Sequence, residues 1–163
     1  MATQFLNRWK DGPAELVFDV NAKSILLFQC DNDQETSIRA SSIFLKICRS
    51  YRISGYFLST YALGASFFED VKSSDGEMTV QERIHSDQLL VLSAFGAERI
   101  DGKGFYSSSL ADVLRYRVDS GKLTVLALAP NGDLAEIRKR YGDQVYSLVS
   151  NHGQFISCDK GSV

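Results

Sequence analysis

Apolar residues along this chain fall in short blocks separated by polar stretches, and several of those stretches carry helical spacing. Ser24 to Phe28 is an apolar run of strand length, followed by the polar stretch Gln29 to Thr36. From Ser37 onward Ile38, Phe44, Ile47, Cys48 and Tyr51 recur at roughly helical intervals, with Arg39, Lys46 and Arg49 on the other faces. Gly55 to Ser59 predicts a second strand, Thr60 the cap of a helix reaching Glu69, and Thr79 with Glu82 a capping box for a brief helix ending near His85. Gln88 to Leu92 reads as a third strand. Tyr106 to Val118 reads as a helix with Leu110, Val113, Leu114 and Val118 on one face, and Leu123 to Ala129 as an almost uniformly apolar fourth strand. Leu134 to Tyr141 predicts a helix ended by Gly142, and His152 to Cys158 a last strand. Before all of these, Phe5 to Gly12 reads as a short helix or arm and Leu16 to Phe18 as an edge strand. Strands alternating with helices at this spacing predict an α/β fold, a parallel sheet with helices on both faces. Residues 1–20 would form the arm and edge strand, and residues 21–163 a single domain.

Composition narrows this only a little. The formal net charge is -2, from 18 basic and 20 acidic residues, so nothing global argues for nucleic acid or an anionic membrane. Cys30, Cys48 and Cys158 are widely spaced and form no C-x-x-C pair, which suits a reducing compartment and disfavours a structural zinc site. No window approaches the roughly 18 apolar residues of a membrane span, and the N-terminus lacks an apolar signal-peptide core. The expected setting is the cytoplasm, close to the nucleoid in a bacterium or in the nucleus of a eukaryote.

The junction at residues 24–51 has the frame of a phosphate-binding loop without its chemistry. In the pattern G-x-x-x-x-G-K-[ST], glycines let backbone N–H groups close on the phosphates, the lysine reaches the terminal phosphates and the hydroxyl holds magnesium. Here Cys30 and Glu35 stand for the glycines, Thr36 for the lysine and Ser37 for the hydroxyl residue, so only the last survives. Asp31, Asp33 and Glu35 add three carboxylates where phosphates would lie, each like-charge contact costing roughly 4 kcal/mol at about 4 Å and an effective dielectric of about 20. The third strand, where such folds carry a magnesium-binding acid and a second acid that activates water, delivers Ser93 and Ala94.

Other chemistry finds less support. The alternating acids at 31, 33 and 35 open like a calcium-binding loop, but Thr36 replaces its glycine and Ser42 its closing glutamate, so no metal is expected. His85 and His152 sit in no serine or acid constellation and read as packing or surface residues, and Ser107 to Ser109 reads as a helix cap. Arg115, Arg117 and Lys122 could converge with Arg138, Lys139 and Arg140 into a strip for single-stranded DNA; the competing reading is exposed helix faces balanced by nearby acids. Trp9 is the best candidate for an exposed anchor at a partner surface.

Several strings resemble the helicase loaders and transposon accessory ATPases of the DnaC/DnaI/IstB-like AAA+ group. They are LLVLSAFGAERI at 89–100, ADVLRYRVDSGKLTVLALAP at 111–130, LAEIRKRYGDQVYSLV at 134–149 and the lead-in FLNRWKDGPAELVFD, so the likeness spans nearly the whole chain. The resemblance implies a three-layer P-loop NTPase-like fold of AAA+/RecA type, an oligomer, and a partner such as a replication or recombination ATPase, helicase or loader. Ala129 falls at what looks like the sensor asparagine, with Asn131 two residues on, and Leu148 where the family tends to carry an arginine that reaches a neighbour's phosphates. With these positions vacated as well, the resemblance points to a degenerate pseudo-ATPase, not an enzyme and without a cofactor. Loaders usually carry an N-terminal helicase-binding domain for which this chain has no room, so any partner contact is expected to run through the ATPase-like domain.

Overall fold

The computed structural model describes residues 5–7, 16–18, 23–30, 32–73, 76–98, 104–129 and 133–157. The central sheet has five parallel strands: β3 (Ile25–Gln29), β4 (Gly55–Ser59), β5 (Leu89–Phe95), β6 (Leu123–Leu128) and β7 (Gly153–Ser157), in the spatial order β4-β5-β6-β3-β7. Helices α1 (Asp33–Tyr51), α2 (Thr60–Ser66), α3 (Val80–Ser86), α4 (Phe105–Asp119) and α5 (Leu134–His152) connect them. The expected parallel α/β arrangement holds.

Strand alternation divides the core into two layers. Leu26, Phe28, Leu89, Val91, Leu123, Val125 and Ala127 face α1, whose buried stripe is Ala40, Ile43 and Ile47. The opposite side chains of the same strands, among them Ile25, Leu27, Leu58, Leu90, Leu92, Leu126 and Leu128, meet α2 to α5. All six residues of β6 are buried, because both of its faces are covered. Each fully buried Leu or Ile contributes about 1.5–3 kcal/mol, so the sheet interior supplies most of the driving force. No helix among the described residues is long and apolar enough to cross a membrane.

Several boundaries differ from expectation for local reasons. The helix expected from Ser37 starts at Asp33, because Asn32 caps it by accepting the Glu35 N–H at 2.8 Å, and acidic residues suit the positive end of a helix. Its buried face is set by Thr36, Ala40, Ile43 and Ile47, so Ile38, half a turn away, is 58% exposed instead of buried. Ser59, not Thr60, caps α2, which stops at Ser66 short of Glu69. The capping box of Thr79 and Glu82 is present, and the backbone and side-chain hydrogen bonds from Thr79 hold the Glu82 carboxyl below its usual range. Gly104 precedes α4 without a side-chain cap, and the serines at 107 to 109 lie inside the helix instead of capping it. Gly142 breaks α5 with φ 82°, a conformation open to glycine, but the helix resumes beyond it and runs to His152.

At the start of the chain, β1 (Phe5–Asn7) and β2 (Leu16–Phe18) pair with each other, Phe5 opposite Phe18. Residues 5–7 are therefore strand, not helix, and Leu16–Phe18 is not an edge of the main sheet, whose edges are β4 and β7. Trp9 lies outside the described residues.

Candidate functional site at the carboxyl edge of the sheet

The chain leaves β3 toward the face covered by α1 and leaves the adjacent β6 toward the face covered by α5. Neighbouring strands whose exits diverge create a crevice at their carboxyl ends, the usual ligand position in open α/β sheets. Its floor is tied by Gln29, whose side-chain amide donates to the Ala129 carbonyl at 3.2 Å.

One wall is the turn from β3 into α1. With β3 ending at Gln29 and α1 starting at Asp33, residues 30–32 alone connect them, where the sequence suggested an eight-residue polar loop. Thr36 organises this turn. Its hydroxyl accepts the Cys30 N–H at 3.1 Å and donates to the Asn32 carbonyl at 2.9 Å, and the side chain is buried. Cys30 is buried behind it, whereas Ser37 is exposed on the helix. Glu35 is engaged by Arg39, with Nη2 to Oε1 at 2.7 Å, so its charge is partly neutralised within the helix. Asp31 lies outside the described residues. The calcium-loop spacing is absorbed into helix, since residues 33 and 35 occupy its first turn. Thr36→Val keeps a similar shape but removes the acceptor for the Cys30 N–H. It is expected to cost about 1–3 kcal/mol, read as a lower denaturant midpoint with an unchanged slope.

The other wall is the end of β5. The strand runs three residues beyond the expected Leu92, and its register with β6 shifts between Leu92 and Phe95, a bulge that carries Ser93 and Ala94. Ala94 sits at φ 55°, a left-handed conformation that costs a residue with a Cβ about 1–2 kcal/mol. The carbonyls of Ser93 and Ala94 are held by the Thr60 hydroxyl, at 3.3 and 2.9 Å. Leu148 packs half-buried against the core on α5.

Beyond the bulge lies a buried cluster that no local pattern announces. Glu98 is 2% exposed; its carboxylate accepts from the Tyr141 hydroxyl and, at 3.0 Å, from the Gly96 N–H. Burial, and then the Glu98 charge, push the Tyr141 and Tyr106 hydroxyls above their usual range, so both remain protonated donors. The partners are 43 residues apart in sequence, so only the fold brings them together.

The basic residues do not form one strip. Arg115 and Lys122 lie where α4 runs into β6, at the amino edge of the sheet, while Arg138, Lys139 and Arg140 lie in the early turns of α5, beyond the carboxyl edge. The length of β6, six residues or about 20 Å, separates them. Arg117 is 0% exposed, so it cannot contact DNA. Lys122 Nζ donates to the carbonyls of His85 and Ser86, and Arg115, Arg138 and Lys139 pair with Asp112, Asp143 and Glu136. Arg140 lies over the Tyr141 ring at 5.8 Å, its buried Nε without a hydrogen-bond partner. His85 hydrogen-bonds the Gln81 carbonyl at 2.7 Å and packs on Tyr116, a packing role.

Neither a family model nor a curated protein sequence matches the chain. Solved structures do. The crystal structure of the DnaC helicase loader superposes with a TM-score of 0.67 at 18% identity, covering 87% of this chain and 82% of that one. AMPPCP-bound DnaA from Aquifex aeolicus superposes with a TM-score of 0.59 at 10% identity, over 85% of this chain and 41% of the DnaA chain, so the likeness spans less than half of DnaA. At such identities the likeness is one of fold alone, and the fold this chain shares with them is a parallel sheet, five-stranded here, between two helical layers.

Proposed function

We propose that this chain is a non-catalytic AAA+-like module of DNA replication or recombination, which acts by holding a protein partner such as a helicase, a loader or another ATPase. The observation that carries the reading is the Thr36 hydroxyl, bonded at once to Cys30 and Asn32. A phosphate-binding loop needs backbone N–H groups that point into an open cradle and a lysine that reaches the phosphates. Here the residue at the lysine position closes the turn on itself, and the helix begins at Asp33, before the position of the second glycine. Ser93 and Ala94 bring no carboxylate to hold magnesium.

The replication setting is supported by the fold it shares with a helicase loader. The nucleotide-free reading departs from the AMPPCP-bound DnaA structure, which does hold such a ligand. A single-stranded DNA reading has no convergent basic surface to rest on among the described residues, because the two basic groups flank opposite edges of the sheet.

Titration calorimetry with MgATP is expected to give no binding heat up to millimolar nucleotide, and steady-state assays no phosphate release above the uncatalysed rate. A dissociation constant in the micromolar range, about 8 kcal/mol of binding free energy, would overturn the reading. Retention of a replication ATPase or helicase from native lysate, unaffected by added nucleotide, would support the partner-holding part.

A further inference from the structure

A cavity of about 280 Å³ opens between α2 and the start of α4, lined by Thr60, Tyr61, Gly64, Phe68 and Tyr106 and reaching Glu98. The contrast in exposure orients it: Phe68 is 67% and Tyr61 56% exposed, whereas Glu98 is 2% exposed, so aromatic rings frame the mouth and a carboxylate lies at the inner end. Phe105 packs against Phe68 with centroids 5.0 Å apart and the rings tilted by 41°, extending the apolar rim. Gly64 keeps the wall open, since a side chain there would press on the Tyr106 ring at 3.2 Å.

Among the described residues the carboxylate is satisfied by neutral donors only. Tyr141 and Gly96 bond it, and the Tyr106 hydroxyl donates to the Thr60 carbonyl at 3.4 Å on the cavity wall, but among the described residues no lysine, arginine or histidine nitrogen lies within 4 Å of the carboxylate. Arg140 sits over the Tyr141 ring, 5.8 Å from its centroid, and makes no ion pair with Glu98. Buried charges are as a rule paired, and each carboxylate oxygen retains a lone pair after one hydrogen bond. The volume lies just under the roughly 300–1,000 Å³ of small-molecule sites and suits one long side chain.

We infer that this cavity receives an arginine side chain of the protein partner, its guanidinium sandwiched by the aromatic mouth and directed at Glu98. Arginine fits better than lysine because a planar guanidinium stacks on aromatic faces and forks onto a carboxylate, and because it is enriched at interface anchor points. This rests on the partner-holding reading of the fold but not on the state of the nucleotide crevice, so calorimetry with MgATP and the experiment below fail independently.

The test is NMR titration of the whole chain with N-acetyl-arginine amide, with the isosteric, uncharged N-acetyl-citrulline amide as the control. Arginine amide is expected to bind in the millimolar range and to shift the resonances of Tyr61, Phe68 and Phe105, while the citrulline compound binds at least tenfold more weakly. Glu98→Gln should remove most of the difference between the two probes. Because that variant alters a buried network, Phe68→Ala, at a largely exposed position, is the second arm and should weaken arginine binding several-fold without changing the rest of the spectrum. Equal shifts with both probes, no shift at saturating arginine amide, or undiminished binding in folded Phe68→Ala would each overturn the proposal.

Discussion

Replacing Arg117 by methionine is expected to destabilise the protein by about 3–5 kcal/mol, a large share of the roughly 5–15 kcal/mol that holds a domain together. The guanidinium is buried in the seam between α3, α4 and the amino ends of β5 and β6. Nε donates to Thr124 Oγ1 at 2.9 Å, one Nη to the carbonyls of Ile84 and Asp87 at 2.6 and 3.1 Å, and the other to those of Gln88 and Leu123 at 3.2 and 2.7 Å. All five N–H donors of the side chain are therefore used, and three of the acceptors end α3 or follow it, at the negative pole of that helix. Methionine fills much of the volume but leaves four carbonyls and a hydroxyl buried without this donor, each costing about 1–3 kcal/mol if nothing relaxes. Burial lowers the pKa of Arg117 to about 10, with Asp87 opposing the shift, so the group stays charged at neutral pH. Arg117→Lys keeps the charge but has three donors in a different geometry, and should recover less than half of the loss. Chemical denaturation reads both values, and a methionine variant within 1 kcal/mol of the parent protein would show that the network is dispensable.

Arg117 also marks where the sequence was legible and how it was misread. Leu110, Val113, Leu114 and Arg117 stand at i, i+3, i+4 and i+7, so the stripe that buries the leucines buries the arginine too. Treating it as surface charge followed residue type over position. The same weighing of type over phase put Ile38 in the core, although Ala40, Ile43 and Ile47 define the buried face and Ile38 lies opposite. The strands were legible because their apolar runs have strand length and both sheet faces are covered, which leaves little helix-strand ambiguity in a segment like Leu123–Leu128.

The candidate site was half legible. The absence of glycine and lysine from the β3 to α1 junction can be read directly, but the structural consequence cannot. Two of the three acids, Asp33 and Glu35, stand in the first turn of a helix that begins four residues sooner than expected, because Asn32 caps it by accepting the Glu35 N–H. Thr36 then turns inward to Cys30. The cluster of Glu98, Tyr106 and Tyr141 had no local signature at all, since its members come from the loop after β5 and from two helices. The serine and alanine after Leu92 were read as an emptied metal site; the bulge and the left-handed Ala94 that place them depend on how β5 meets β6.

Gly153→Ala is expected to cost about 3 kcal/mol, at the upper end for overpacking, although the backbone there is in an ordinary extended conformation, φ -97° and ψ 145°. The reason is steric. A Cβ at this position would stand 2.1 Å from the Val149 carbonyl oxygen and 2.7 Å from Leu27 Cδ1, because α5 folds directly into β7 with no intervening loop. The first neighbour is backbone and cannot rotate away, so either the last turn of α5 opens or the start of β7 lifts from β3, where Gly153 pairs with Ile25. The strand is the weaker side, since β7 is an edge with one partner whereas Val149 is anchored in the core. Hydrogen exchange should therefore lose protection first in β7 and the β3 amides that pair with it, with β4, β5 and β6 protected up to global unfolding. Because β3 carries the Thr36-closed turn at its carboxyl end, the same variant should loosen the Cys30 amide, tying the edge strand to the crevice. Uniform loss of protection across the sheet, or none, would show that β7 does not hold the crevice wall in place.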